Sequence, residues 1–111
     1  MADKMAKIEK LIEKGKWDKI EAKYLKGSDE ERLDLAKACA TSDTDGAFNC
    51  LITLLNDKND AVQLAAIKSV GATGNDHATA QLQWLLQRLP PEKKETIDAI
   101  HTAIANVKNP E

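Results

Sequence analysis

DKNDAVQLAAIKSVGATGN, residues 57–75, is the stretch that decides the fold. Val62, Ala65, Ala66, Ser69, Val70 and Thr73 recur at helical spacing and share one face. Asp57 or Asn59 offers a side-chain oxygen to cap the start, and Gly74 suits the left-handed residue that closes a helix. The face is made of small residues, so another helix can approach it closely. The same arrangement recurs on both sides, which makes this helix one unit of a repeat.

Upstream, residues 3–14 predict a short helix with Met5, Ile8, Leu11 and Ile12 on one side, ended by Gly15. Residues 16–26 predict a second, striped with Trp17, Ile20 and Tyr24 and ended by Gly27. Ser28 followed by Glu31 is a capping box for a third helix that runs to about Thr41. A fourth, 45–56, carries Ala47, Leu51, Leu54 and Leu55 inward. Downstream, a sixth helix over 76–88 repeats the leucines as Leu82, Leu85 and Leu86. Pro90 and Pro91 stop it, and Pro91 suits the first turn of a seventh helix over 91–107.

These helices align with one another. Leu35-Ala36 followed by Cys39-Ala40 matches Ala65-Ala66 followed by Ser69-Val70, and both match Ala99-Ile100 followed by Ala103-Ile104. Leu51, Leu54 and Leu55 match Leu82, Leu85 and Leu86. Helix pairs therefore repeat every thirty or so residues. One pair cannot bury its apolar face alone, and stacking several makes a continuous core.

The run from Val62 to Asn75 resembles the second helix of a HEAT repeat, and more narrowly the short HEAT-like repeat of the phycobilin-lyase type. In that pattern a valine-arginine pair leads two alanines, then a small residue, an aliphatic residue and glycine. Here Gln63 stands where the arginine would be. Ala78, Leu82, Leu85 and Leu86 fit the first helix of the following repeat. The resemblance is strongest over 44–86 and weakest over 1–26, and it extends to small stand-alone bacterial proteins of such repeats. It implies an all-α fold: a short right-handed α-solenoid of about seven helices in one domain, 1–111. Within it, 1–15 forms a capping helix and 16–41, 44–73 and 76–108 form three HEAT-like pairs.

Composition agrees with a helical soluble domain. Hydrophobic residues make up 42% and charged residues 31%, with aromatics only 4%, so alanine and leucine must carry the core. The N-terminus is charged and has no apolar signal core, and no apolar run is long enough to span a membrane, so a cytoplasmic location is expected. Cys39 and Cys50 sit within predicted helices in apolar company, which reads as two buried thiols. No Cys or His pair has zinc spacing, so neither metal nor cofactor is expected. Nor does any nucleophile–base constellation emerge, so no catalytic residue is assigned and a non-enzyme is expected.

The function expected from this pattern is binding of a protein or peptide partner, by a monomer, on the concave face lined by the second helices. With Ala66 at the core centre, Leu64 points the opposite way, with Ala61, Lys68 and Gly71 around it. The aligned positions are Asp34 with Glu31 and Ala38, and Asp98 with Glu95 and Thr102. Glu31, Asp34, Leu64, Lys68, Glu95 and Asp98 are thus the candidate partner-binding residues: an apolar spot with an acidic rim. An alternative is anion or weak nucleic-acid binding through Lys16, Lys19, Lys23 and Lys26, at helical spacing on the second helix. Residues 1–26 hold eight lysines against five acids, too modest an excess for nucleic acid to be favoured, and Glu9, Glu13, Asp18 and Glu21 dilute it. A small lyase-like or chromophore-handling protein is the further alternative that the resemblance suggests.

Overall fold

The computed structural model describes residues 2–42, 44–73 and 77–108, and among these every regular element is helical. Capping chemistry sets several of the helix ends. Helix α1, Ala2–Glu13, ends at Gly15, whose φ of 69° a larger side chain rarely adopts. The Gly15 N–H donates to the Ile12 carbonyl at 3.0 Å and the Lys16 N–H to the Leu11 carbonyl at 2.9 Å, the two bonds of a Schellman end. Helix α2, Trp17–Ile20, passes directly into a π-helical turn, Glu21–Leu25. Helix α3, Asp29–Ala38, has the expected capping box: Ser28 Oγ accepts from the Glu31 N–H, and Glu31 Oε1 from the Ser28 N–H at 2.8 Å. A 3-10 turn, Cys39–Thr41, extends it.

Helix α4, Asp45–Leu54, is capped by the Thr44 hydroxyl, which accepts from the Ala47 N–H. Helix α5, Asp60–Thr73, is capped by Asn59, whose Oδ1 accepts from the N–H groups of Ala61 and Val62 at 2.9 and 3.1 Å. Of the two candidate caps it is therefore Asn59 that serves, and Asp57 is used elsewhere. Gly74, the expected terminator, lies outside the described residues. Helices α6, Ala78–Arg88, and α7, Lys94–Lys108, follow. Pro91 is not in the first turn of α7. The chain must reverse after α6, and Pro91 instead occupies the second position of a turn closed by the Lys93 N–H on the Pro90 carbonyl at 3.1 Å. Its fixed φ suits that position equally well.

Helix α5 is the centre of the molecule. It packs on α3 and α7 within one layer and on α4 behind it. Val62, Gln63, Ala66, Ile67, Ser69, Val70 and Gly71 are all buried, so the helix is covered around most of its circumference. The alanine stripe expected to face the core is only part of what does. Gly71, expected on the open face, is packed against α7, and Ala38, expected to be open too, is fully buried. Both differences have one cause. Helical phase around Ala66 assumes a single partner for each helix, whereas a helix inside a stack has three.

The two buried polar side chains of α5 each satisfy a neighbouring carbonyl. Gln63 Nε2 donates to Leu55 O at 2.9 Å, tying the start of α5 to the end of α4. Ser69 Oγ donates to Ala36 O at 2.6 Å, tying α5 to α3. No buried side-chain nitrogen or oxygen among the described residues lacks a partner, as a stable interior requires. Arg32 and Asp57 add a further link between successive pairs, with Arg32 Nε 2.7 Å from Asp57 Oδ2.

Helix α5 touches both α3 and α7, so the three form one continuous layer. Helix α4 packs on α5 and on α3 with its 3-10 extension, α6 packs on α7, and α2 packs on α1. Ala66 is fully buried at the centre of this packing. Ala66→Leu is expected to overpack it and cost about 2 kcal/mol in urea denaturation. An unchanged midpoint would mean that the junction has room it does not show.

Candidate functional site

Between α3 and α5 the open face carries an apolar trough of about 460 Å³. Leu33 and Ala40 form one wall, Ala61, Leu64 and Ala65 the other, and Lys37 and Lys68 stand at its edge. Helical spacing explains the arrangement. Leu33, Lys37 and Ala40 are three and four residues apart along α3 and its 3-10 extension, as are Ala61, Leu64, Ala65 and Lys68 along α5. Leu64 is half-buried there, so its apolar surface is held in place and still open on one side.

The structure gathers only some of the residues that the sequence nominates. Leu64 and Lys68 share the trough. Glu31 is engaged in the capping box of α3. Asp34 is half-buried on α3, and Glu95 and Asp98 are exposed on α7, without lining the trough. The charged side chains that line the trough beside Leu64 are therefore Lys37 and Lys68, and none of the expected acidic residues lines it. Sequence alignment of the helices gives equivalent positions but not the sideways offset between them, and that offset decides which side chains meet.

The lysines of the second helix are split as well. Lys19 and Lys23 line a second groove, against α1, together with Lys7, Lys10 and Lys14. Lys16 precedes the helix and Lys26 follows it, and neither reaches that groove. For Lys26 the π-helical turn is the reason. It closes with the Lys26 N–H on the Glu21 carbonyl at 3.1 Å, a five-residue step that breaks the regular helical phase.

Trp84, on α6, is not singled out by the sequence. It is 48% exposed and stacks on the Arg88 guanidinium, 4.3 Å from the ring centre. Its position two residues after Leu82 places it off the buried leucine stripe, and that is the one signal the sequence offers.

For chemistry, the two cysteines are the strongest nucleophile candidates. Both are buried, and the two thiols act on each other. The interaction with Cys50, with burial added, pushes the Cys39 thiol far above its ordinary range, while the interaction with Cys39 outweighs burial and holds the Cys50 thiol below its own. Since the thiolate is the reactive form, Cys39 is held away from nucleophile chemistry. His101 is exposed on α7 and His77 is exposed just before α6. Among the described residues, no group of three or more His, Cys, Asp or Glu side chains is disposed to hold a metal ion. No helix among them is long and apolar enough to cross a membrane.

The family model for HEAT repeats matches residues 22–105. Comparison with curated proteins and with solved structures gives no match. The matched span begins within the π-helical turn and runs almost to the end of α7, leaving α1 outside it.

Proposed function

This chain belongs to the HEAT repeats family, and from that premise we propose that it is a non-catalytic protein-binding module whose α3–α5 trough receives apolar side chains of a partner. The observation that carries this reading is Leu64, half-buried on the open face beside Leu33 and Ala65. A recessed apolar floor between two helices is the form in which a helical surface takes up another chain's side chains. Lys37 and Lys68 at its edge favour a partner segment with carboxylates beside its apolar residues. Repeat proteins of this kind commonly mediate protein–protein interaction. The likeness of α5 to the phycobilin-lyase type of repeat supports the fold and brings no activity into this reading.

Leu64→Lys tests it. Folding should survive, because Leu64 is open on one side. Partner capture from lysate of the source organism should weaken about tenfold, roughly 1.4 kcal/mol. Unfolding of the variant would place Leu64 in the core. Undiminished capture of every partner by a folded variant would place the binding surface elsewhere.

A further inference from the structure

Five lysines converge on one groove. Lys7 and Lys10 come from α1, Lys14 from the turn after it, and Lys19 and Lys23 from α2 and its π-helical turn. The groove is about 540 Å³, with Leu11, Ala22 and Tyr24 as its floor. In sequence these lysines alternate with Glu9, Glu13, Asp18 and Glu21, which suggests a neutralised surface. The fold sorts them. Glu9 and Glu13 turn to the other side of α1, towards Thr41 and Thr44. Asp18 and Glu21 turn to the other side of α2, towards Gly46 and Asn49. Among the described residues no carboxylate lines the groove and none of the five lysines is ion-paired.

Like charges collected along two facing helices repel, and beyond the contact of Lys23 Nζ with the Tyr24 ring, 5.6 Å from its centre, the fold gains little from them. Their placement suits a ligand that carries several negative charges. Lys7 to Lys14 spans about 10 Å along α1, further than one carboxylate or phosphate reaches. An anion with charges at regular intervals is required. The floor narrows the choice, because it is apolar and a bare polyanion would leave it unused. Tyr24 is only 7% exposed, so it offers no ring face on which a nucleobase could stack. A recessed floor between two helices also suits an inserted chain better than a flat lipid surface.

We propose that this groove docks an acidic amphipathic segment of a partner protein, its apolar side chains on Leu11 and Ala22 and its carboxylates facing the lysines on both banks. The site is separate from the α3–α5 trough, and neither depends on the other.

The probe is a synthetic fluorescent peptide as long as α1, with leucines on one helical face and glutamates on both flanks. Its scrambled isomer and phosphatidylserine vesicles serve as comparisons. Binding is read by anisotropy, or by co-sedimentation for vesicles, at low and raised salt, with folding checked by circular dichroism. The patterned peptide should bind wild type, more weakly in salt. Affinity should fall about tenfold or more both in Lys10→Gln/Lys14→Gln/Lys19→Gln/Lys23→Gln and in Ala22→Glu, which keeps every lysine but charges the exposed floor. Lys16→Gln/Lys26→Gln, off the groove, should change affinity little. Four results would overturn the proposal: no saturable binding of the patterned peptide, equal binding of the scrambled isomer, equal weakening by the Lys16/Lys26 pair, or groove-dependent binding of vesicles alone.

Discussion

Replacing Asp57 with alanine is expected to destabilise the protein by about 3 kcal/mol, because it strands a largely buried guanidinium. The Arg32 side chain is 14% exposed and that of Asp57 only 8%. Arg32 Nε lies 2.7 Å from Asp57 Oδ2 and Nη2 lies 3.2 Å from Oδ1, so the carboxylate is gripped at both oxygens. Arg32 also donates to the Gly27 carbonyl at 2.7 Å and to Asp29, while Asp57 Oδ1 accepts from the Asn59 N–H at 2.9 Å. The cluster fastens the turn before α3 to the turn before α5. Loss of Asp57 leaves Arg32 with one carbonyl and the exposed Asp29. Removing both charges as Arg32→Met/Asp57→Leu should cost less than the sum of the single changes, since no orphan charge remains. The dependence on pH follows. Burial works to raise the Asp57 pKa, but the hydrogen bonds from Arg32 and Asn59 outweigh it and hold the carboxyl below its ordinary value. A depressed folded-state value means that the contribution is complete above the unfolded value, about 3.9, and is lost as pH falls through the folded one. The gap in urea midpoint between wild type and Asp57→Ala should therefore be full at neutral pH and narrow below about pH 4. A gap of constant size down to about pH 2 would show that the charge pair is not its source.

Features local in sequence are legible from the residues alone. The Ser28–Glu31 capping box, the Gly15 terminator and the thirty-residue recurrence of the small-residue helix face all depend on residues within a turn or on simple periodicity. They locate the helices and their pairing. The Arg32–Asp57 pair is of another kind. Its members are 25 residues apart, and each has a plausible local role, Asp57 as a helix cap and Arg32 as a surface charge. Only the stacking of one pair on the next brings them together. The lysine groove is half legible. Both stripes stand out in the sequence, but whether the interleaved carboxylates share their face depends on how α1 and α2 are rotated against each other. The π-helical turn at Glu21–Leu25 alters that rotation without any sequence mark. The surroundings of Leu64 escape the sequence for a similar reason. Helical phase says which way a side chain points from its own axis, and the neighbour it meets depends on the offset between axes.

Gly71→Leu is expected to be at least as damaging as the loss of Asp57, about 3 kcal/mol or more, because the place a side chain would occupy is already filled by backbone. A Cβ on Gly71 would lie 3.0 Å from both the Cα and the Cβ of Ala103 on α7. Glycine inside a helix costs about 1 kcal/mol relative to alanine, so its presence in the last turn of α5 needs an offsetting gain. That gain is the close approach of α5 and α7, the most extensive helix contact among the described residues. Ala103 is 2% exposed and cannot swing aside as a long side chain would. Relief must come from moving α7 as a body, which would disturb the packing of Ile100, Ala103 and Val107. Gly71→Ala is the graded case. It gains about 1 kcal/mol of helix propensity and requires a shift of only tenths of an ångström, so its net effect should be small. The swap Gly71→Ala/Ala103→Gly returns the methyl group to the same interface from the other helix and should also stay near wild type. Because α7 is held to the rest of the described fold through α5 and α6, Gly71→Leu should loosen α7 first. Hydrogen exchange would then show lost protection in α7 before α3. If Gly71→Leu unfolds at the wild-type urea midpoint, or if α3 and α7 lose protection together, α5 and α7 do not meet in the way that makes glycine necessary here.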